Sequence, residues 1–331
     1  MSRRLAVFAL ALLLLEACGA TGGDELLPAP FMADFDVQGH RGARGLRPES
    51  TLPAFETALD LGVTTLELDL HFSADGQIVV WHDPVIGPDK CRLRDNAPST
   101  IPDPDDPRTH AKRAVAALTG DQLQWFQCDR NPNEGEFPEQ LAKSTELAGY
   151  DFRVVTLVEL FEFVESYRDS TTKSETQRAT AATIRFNVET KRQPDNPATI
   201  GDGFDGVEAG PFELALLEVV SRFDLEERIV VQSFDHRSLW AVHSASPDLT
   251  LAALTPDRFA DLETLAGNGA SIWSPRYTSL RSQDIEDAHR LGLQVIPWTV
   301  NDPASFADMI SMGVDGIITD RPDLLLAHLG R

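Results

Sequence analysis

The stretch His40–Asp83 reads HRGARGLRPESTLPAFETALDLGVTTLELDLHFSADGQIVVWHD and contains the pattern that decides the fold. A short strand leads into it, a helical pattern follows over Thr51–Leu61, and a second strand follows over Thr64–Leu70. A strand, a helix and a strand of these lengths are typical of a unit with two parallel strands. The stretch also places histidines, an arginine and carboxylates beside the strands, which is the residue set of acid–base and metal-ligand chemistry.

Strands and helices continue to alternate along the rest of the chain. Several strand candidates are continuous apolar runs, as expected for strands that are buried on both faces. This alternation favours either a closed (β/α) barrel or an open α/β sheet. The candidates are Asp36–His40, Thr64–Leu70, Gln77–His82, Thr183–Glu189, Ile229–Ser233, Leu249–Leu254, Ser271–Ser274, Leu293–Trp298 and Val314–Thr319.

The candidates exceed by one the eight strands of a barrel. Segment 71–76 is too short for a crossover helix, so the strands on either side of it are expected to form a hairpin. Residues 84–150 interrupt the alternation and are rich in Pro and Asp, and we interpret them as an inserted loop or small subdomain after the third strand that overhangs the site. The polar segment 170–182 is interpreted as a surface loop.

Residues 1–18 resemble an export signal. A basic head precedes an apolar run over 5–15, which is too short to span a bilayer comfortably. The end of the segment resembles the cleavage box of bacterial lipoproteins, which predicts a lipid on Cys18. Cleavage without lipidation is the alternative, because Glu16 fits that box poorly. We therefore expect an exported protein of the periplasm or cell envelope, tethered through residues 19–35 and in contact with the membrane if Cys18 carries a lipid.

Export would place the other two cysteines in an oxidising compartment. Cys91 and Cys128 both lie in the insertion, and we predict a disulfide between them, with two buried free thiols as the alternative. The bond would close a loop of about 38 residues and stabilise the fold by roughly 3–4 kcal/mol in chain-entropy models.

The formal net charge of −23 comes without any long basic run. Nucleic acids are therefore excluded as partners, because binding to a phosphate backbone needs a positive stripe. Adhesion to anionic lipid by charge alone is excluded for the same reason.

Carboxylates two positions apart recur on the predicted strands. Glu67 and Asp69 share one strand face, and Glu189 and Lys191 repeat the spacing on another strand. Three such carboxylates suit a hard cation, Ca²⁺ or Mg²⁺, rather than zinc, since neither thiolates nor clustered imidazoles accompany them. We predict a divalent metal site on Glu67, Asp69 and Glu189.

Two histidines follow strands that flank this predicted metal site. The pKa of histidine lies near neutral pH, so one of His40 and His82 can accept a proton while the other donates one. The guanidinium of Arg41 offers a forked pair of donors to a phosphate.

Several blocks in this order resemble the glycerophosphodiester phosphodiesterase family. The resemblance covers about residues 36–328 and implies a TIM barrel over 36–331, a divalent cation and a small-molecule substrate. The implied reaction is hydrolysis of glycerophosphodiesters to glycerol 3-phosphate and an alcohol, through a cyclic phosphate. The blocks are HRG at 40–42, PESTLPAF at 48–55, ELD at 67–69, HD at 82–83, ETK at 189–191, QSFD at 232–235, WTVN at 298–301 and DGIITDRP at 315–322.

The resemblance also implies roles for the site residues by motif position. The histidines would form the acid–base pair, the three carboxylates would hold the metal, and Arg41 with Lys191 would hold the phosphate. Phe234 and Trp298 either cover the glycerol carbons or pack in the barrel core. Where the family usually has Asn this chain has Ser50, which is expected to cap the helix that follows.

Two other functions remain open. A phospholipase D-like enzyme on the same barrel would act on lysophospholipids or sphingolipids. A non-catalytic surface binding protein would keep only the fold, although the intact histidines and carboxylates argue against it.

Overall fold

The computed structural model describes residues 35–331. The predicted export signal, Cys18 and all but the last residue of the tether lie outside these residues. Within the described part, no helix is both long and apolar enough to cross a bilayer.

The described residues form a mixed α/β structure. Its strands are β1 (Asp36–Gly39), β2 (Thr65–Phe72), β3 (Ile78–Val80), β4 (Arg92–Leu93), β5 (Phe126–Gln127), β6 (Val155–Thr156), β7 (Arg185–Thr190), β8 (Ile229–Ser233), β9 (Thr250–Thr255), β10 (Ile272–Pro275), β11 (Gln294–Val295) and β12 (Gly316–Thr319). Its α-helices are α1 (Leu52–Leu61), α2 (Gly120–Leu123), α3 (Leu157–Asp169), α4 (Glu175–Thr183), α5 (Pro211–Arg222), α6 (His236–Ala245), α7 (Leu262–Gly267), α8 (Ser282–Arg290), α9 (Pro303–Met312) and α10 (Pro322–Leu329).

Eight of the strands form a closed parallel barrel. They follow one another in the order β1, β2, β7, β8, β9, β10, β11 and β12. The last gap closes where the Asp315 amide donates to the Val295 carbonyl at 2.9 Å and the Val300 amide donates to the Ile318 carbonyl at 3.1 Å. The predicted TIM (β/α)8 barrel is therefore confirmed, and the open sheet is excluded.

Two apolar layers hold the barrel together. The outward side chains of the strands pack against the helices in the main core. The inner layer fills the barrel itself and consists of Val230, Ala252, Ile272, Ile296 and Ile318. The barrel is thus a packed core, and the polar groups gather above it at the carboxyl ends of the strands.

Of the nine strands predicted from the sequence, the one outside the barrel is β3. It pairs antiparallel with the end of β2, with Leu70 opposite Val80, and on its other side with β6. This pairing extends β2 to Phe72, so Glu67 and Asp69 lie inside a strand and not at its end. Residues 71 and 72 belong to β2 because they pair with β3 in the hairpin, and the periodicity of β2 alone does not show this pairing.

One predicted loop is helical. Segment 170–182 contains most of α4, which begins with a capping box in which Ser174 and Gln177 each bond the other's backbone amide. The interpretation as a surface loop was wrong because it weighed polarity over this start signal and the alanines that follow.

The insertion 84–150 is a small subdomain that shares its core with Val79, Trp81 and Val154 of the adjoining segments. Strands β4 and β5 form a separate two-stranded sheet, and a second apolar cluster lies beneath it. A disulfide joins Cys91, just before β4, to Cys128, just after β5, with 3.9 Å between their Cα atoms. Because Arg92 pairs with Gln127 in the antiparallel register, the disulfide ties the two strands together at one end of this sheet.

Candidate active site

The carboxyl ends of the barrel strands surround a cavity of about 290 Å³. No residue of segment 84–150 lines this cavity, so the insertion does not form its wall. A slightly larger cleft of about 310 Å³ lies between α3, α4 and the segment that follows α5, but no histidine lines it. The cavity residues are His40, Arg41, Glu67, His82, Glu189, Lys191, Gln232, Phe234, Leu254, Arg276, Trp298, Thr299 and Ile318.

Three carboxylates converge on one point beside this cavity. Asp69 lies opposite Glu189 in the register of β2 and β7, and Glu67 lies on the same face of β2. One oxygen from each of the three lies within 4.8 Å of the others, and all three residues are buried. The predicted metal-binding residues are thus brought together by strand pairing.

The charges of this cluster are unbalanced. Burial, together with Asp69 and Glu189, raises the pKa of the Glu67 carboxyl well above its usual range. Burial opposes ionisation of Asp69 too, but Lys191 and Arg41 hold the pKa of that carboxyl well below its usual range. The cluster therefore holds more buried negative charge than its neighbours neutralise.

Asp69 shows that the cluster fits a cation. Arg41 Nε lies 3.1 Å from one of its oxygens and Lys191 Nζ lies 3.3 Å from the other. Neither contact has hydrogen-bond geometry, so both buried oxygens lack a donor. A divalent ion on these carboxylates would satisfy them and offset the excess charge.

Asp320 holds the first histidine. His40 Nδ1 lies 2.6 Å from Asp320 Oδ1, and the same carboxylate accepts bonds from Arg44 and Asn301 at 2.6–2.7 Å. Burial opposes ionisation of Asp320, but His40 and Arg44 keep the pKa of its carboxyl far below the usual range. Because an ionised carboxylate only accepts, His40 Nδ1 carries the proton, and Nε2 lies 3.8 Å from Glu67. Burial lowers the pKa of His40 to about 4.

A chain of charges holds the second histidine. His82 Nδ1 donates to Asp83 at 2.7 Å, and the other oxygen of Asp83 accepts from Lys90 at 2.5 Å. Lys90 also donates to Glu49 at 2.8 Å, and Glu49 accepts from Arg41 at 2.9 Å. Both histidines therefore have Nδ1 engaged by a carboxylate, which leaves Nε2 for proton transfer.

Two cations lie against the carboxylate cluster. Lys191 Nζ lies 2.8 Å from Glu189. Burial opposes its charge, but Glu189 and Asp69 raise the pKa of the ammonium above its usual value. Arg41 has a left-handed φ of +53°, which points its backbone amide at Glu67, 3.0 Å away. The residues predicted to hold phosphate thus border the predicted metal site.

A relay of buried amides supports Glu67 from inside the barrel. Gln232 donates to Glu67 at 2.7 Å, Asn187 donates to both Gln232 and Gln38, and Gln38 donates to Asp36. Sequence patterns did not predict this relay. Its signal was the presence of amide side chains inside otherwise apolar strands, where an unpaired polar group would be costly.

The two aromatic residues lie at the mouth of the cavity. Phe234 is 41% exposed, and Trp298 is half-buried against the inner apolar layer. Their rings meet edge to face with centroids 5.4 Å apart. Trp298 therefore packs against the barrel core and also lines the cavity, whereas Phe234 lines the cavity without belonging to the core.

Ser50 does not cap the helix. The N-cap of α1 is Thr51, whose side chain makes no capping bond, and the buried Ser50 hydroxyl has no partner. Ser50 instead has a left-handed φ of +56°, a conformation that asparagine adopts more readily than serine. The backbone at this position therefore suits asparagine better than the serine present here.

Comparisons with known proteins show which family and fold the chain resembles. The family model described as glycerophosphoryl diester phosphodiesterase matches residues 40–324. A glycerophosphodiester phosphodiesterase of Caldanaerobacter subterraneus is 27% identical over 292 residues, which cover 88% of this chain and 96% of that protein. A putative enzyme of this type from Silicibacter pomeroyi has a crystal structure that superposes with a TM-score of 0.70 at 28% identity, over 89% of this chain and 92% of that one. An Oleispira antarctica phosphodiesterase in complex with sn-glycerol 3-phosphate shares the fold, with a TM-score of 0.63 at 18% identity over 89% and 97% of the two chains.

Proposed function

Because this chain belongs to the glycerophosphoryl diester phosphodiesterase family, we propose that it hydrolyses glycerophosphodiesters to glycerol 3-phosphate and an alcohol in a reaction that needs a divalent metal. One observation carries the proposal. One end of the barrel brings together a buried cluster of three carboxylates, two histidines that carboxylates hold in place, and two cationic side chains. Cleavage of a phosphodiester needs a base for the attacking hydroxyl, an acid for the leaving alkoxide and positive charge near phosphorus.

The chain's own residues supply these functions. Arg41 and Lys191 bind the phosphate oxygens beside the carboxylate cluster. Asp320 and Asp83 orient His40 and His82 through Nδ1, so that Nε2 of one ring accepts a proton from the attacking hydroxyl and Nε2 of the other donates one to the leaving oxygen.

The metal would bind to Glu67, Asp69 and Glu189. When bound, a divalent ion supplies Lewis-acid stabilisation of the phosphate charge. The all-oxygen donor set suits Ca²⁺ or Mg²⁺.

The experiment uses residues 19–331 stripped with a chelator and given glycerophosphocholine. We expect no release of glycerol 3-phosphate from the stripped protein and full release after Ca²⁺ or Mg²⁺ is restored. Release of glycerol 3-phosphate by the chelator-treated protein would refute the metal requirement. No release with any metal and any glycerophosphodiester would refute the reaction and favour the binding-protein alternative.

The same assay separates the phospholipase D-like alternative. Nine of the 13 residues that line the cavity are polar or charged, so its wall favours a deacylated diester over a lysophospholipid. We therefore expect choline release from glycerophosphocholine to exceed that from lysophosphatidylcholine. The reverse order would establish the alternative.

Lys90 gives a prediction about the insertion. Lys90→Met removes the ammonium that holds Asp83, so His82 loses its orientation, and we expect kcat to fall about tenfold with little change in KM. Lys90→Arg should restore most of the rate. The control is Lys112→Met, since Lys112 is exposed in the same insertion. An unchanged kcat in Lys90→Met would show that Asp83 needs no such partner.

A further inference from the structure

Arg276 is the cavity cation that the proposed reaction leaves unused. Three permanent cations line the cavity, and two of them, Arg41 and Lys191, are paired with carboxylates. The exposed guanidinium of Arg276 has no carboxylate within 4 Å among residues 35–331. In a chain with 52 acidic and 29 basic residues, an Arg left unpaired at the mouth of a pocket is available to an anionic ligand.

The barrel places Arg276 far from the carboxylate cluster. Arg276 directly follows β10, which lies four strands away from β2 around a barrel of eight. It therefore stands across the mouth from Glu67 and Asp69. A substrate whose scissile phosphate lies against the cluster would turn its other end toward Arg276.

An aromatic platform holds the guanidinium in place. The guanidinium carbon of Arg276 lies 4.9 Å from the ring centroid of Trp298, and Phe234 braces that ring edge to face. Stacking on an aromatic face restricts the side chain and so lowers the entropy cost of binding an anion. It also excludes a competitor, because the face of Trp298 that would attract a quaternary ammonium already carries a positive charge.

We propose that Arg276 on Trp298 forms a subsite for a second anion, and that the enzyme prefers glycerophosphodiesters that carry a further phosphate or carboxylate over those with a quaternary ammonium. This inference rests on the proposed function, because it assumes that the scissile phosphate lies at the carboxylate cluster.

The experiment compares kcat/KM for three substrates. They are glycerophosphocholine, glycerophosphoglycerol and a double phosphodiester in which one glycerol joins two glycerophosphate groups. Beyond the scissile phosphate these carry a positive charge, no charge and a negative charge, respectively. In the wild type we expect the double phosphodiester to be favoured over glycerophosphocholine, and increasingly so as ionic strength falls. Arg276→Gln should lower the ratio of kcat/KM for the double phosphodiester to that for glycerophosphoglycerol about fivefold. Arg276→Glu should invert the preference toward glycerophosphocholine.

The control is Arg94→Gln, since Arg94 is exposed and does not line the cavity. If Arg276→Gln lowers kcat/KM equally for all three substrates, Arg276 binds the scissile phosphate. If the ratios of kcat/KM between substrates are unchanged, Arg276 binds no part of the substrate. Either outcome overturns the proposal.

Calorimetry separates this failure from failure of the proposed function. If no substrate is cleaved with any metal, glycerol 1,3-bisphosphate and glycerol 3-phosphate are compared as binding probes. Tighter binding of the bisphosphate, lost in Arg276→Gln, would support the subsite even then. Equal binding of the two probes to the wild type would refute it.

Discussion

His40→Ala and His82→Ala are each expected to lower kcat by about 10²–10⁴-fold, the range for loss of one positioned acid or base. Each ring has Nδ1 bound to a carboxylate, so its Nε2 is the atom that exchanges the proton. The measurement is the rate of glycerol 3-phosphate release at saturating substrate and metal.

The fold should survive both substitutions. Asp320 keeps Arg44 and Asn301 when His40 is removed, so no bare carboxylate is left buried. The matched control is His110→Ala, since His110 is exposed in the insertion. A histidine whose alanine variant turns over at the wild-type rate would be removed from the mechanism.

Glu67→Gln and Glu189→Gln are expected to weaken metal binding about a hundredfold, because each keeps the shape of a ligand but removes its charge. The measurement is calorimetric titration with Ca²⁺ or Mg²⁺ alone, so it does not depend on turnover. A second measurement is unfolding, since a metal at a hundred times its Kd stabilises the wild type by about 2.7 kcal/mol.

Both variants should lose this metal-dependent stabilisation, and half-maximal activity should need correspondingly more metal. The control is Glu263→Gln at an exposed position on α7. If the two variants bind the ion as tightly as the wild type, the carboxylate cluster is not the metal site.

The fold was largely predictable because parallel strands buried on both faces leave a strong local signal. Every candidate strand corresponds to a strand of the structure, and the predicted helix at 51–61 corresponds to α1. The errors occurred where the signal was weak. Helix α4 is polar, and the last residues of β2 depend on their partner β3.

The site was predictable only as a set of residues. Spacing placed Glu67 and Asp69 on one face, but the position of Glu189 beside them depends on the register of β2 and β7. Roles for Lys90 and Arg276 were not predicted, because an isolated Lys or Arg has no distinctive sequence pattern. Their significance comes from which groups lie beside them in space.

The sequence by itself determined the order of the barrel strands, the face of each strand and the identity of the reactive groups, since these follow from periodicity and residue chemistry over a few positions. Only the tertiary structure decided which strand lay outside the barrel, that Lys90 reaches Asp83 and that Arg276 stands opposite the carboxylates. The physical reason is that barrel closure and strand register are set by packing between segments far apart in the chain, which no local pattern encodes.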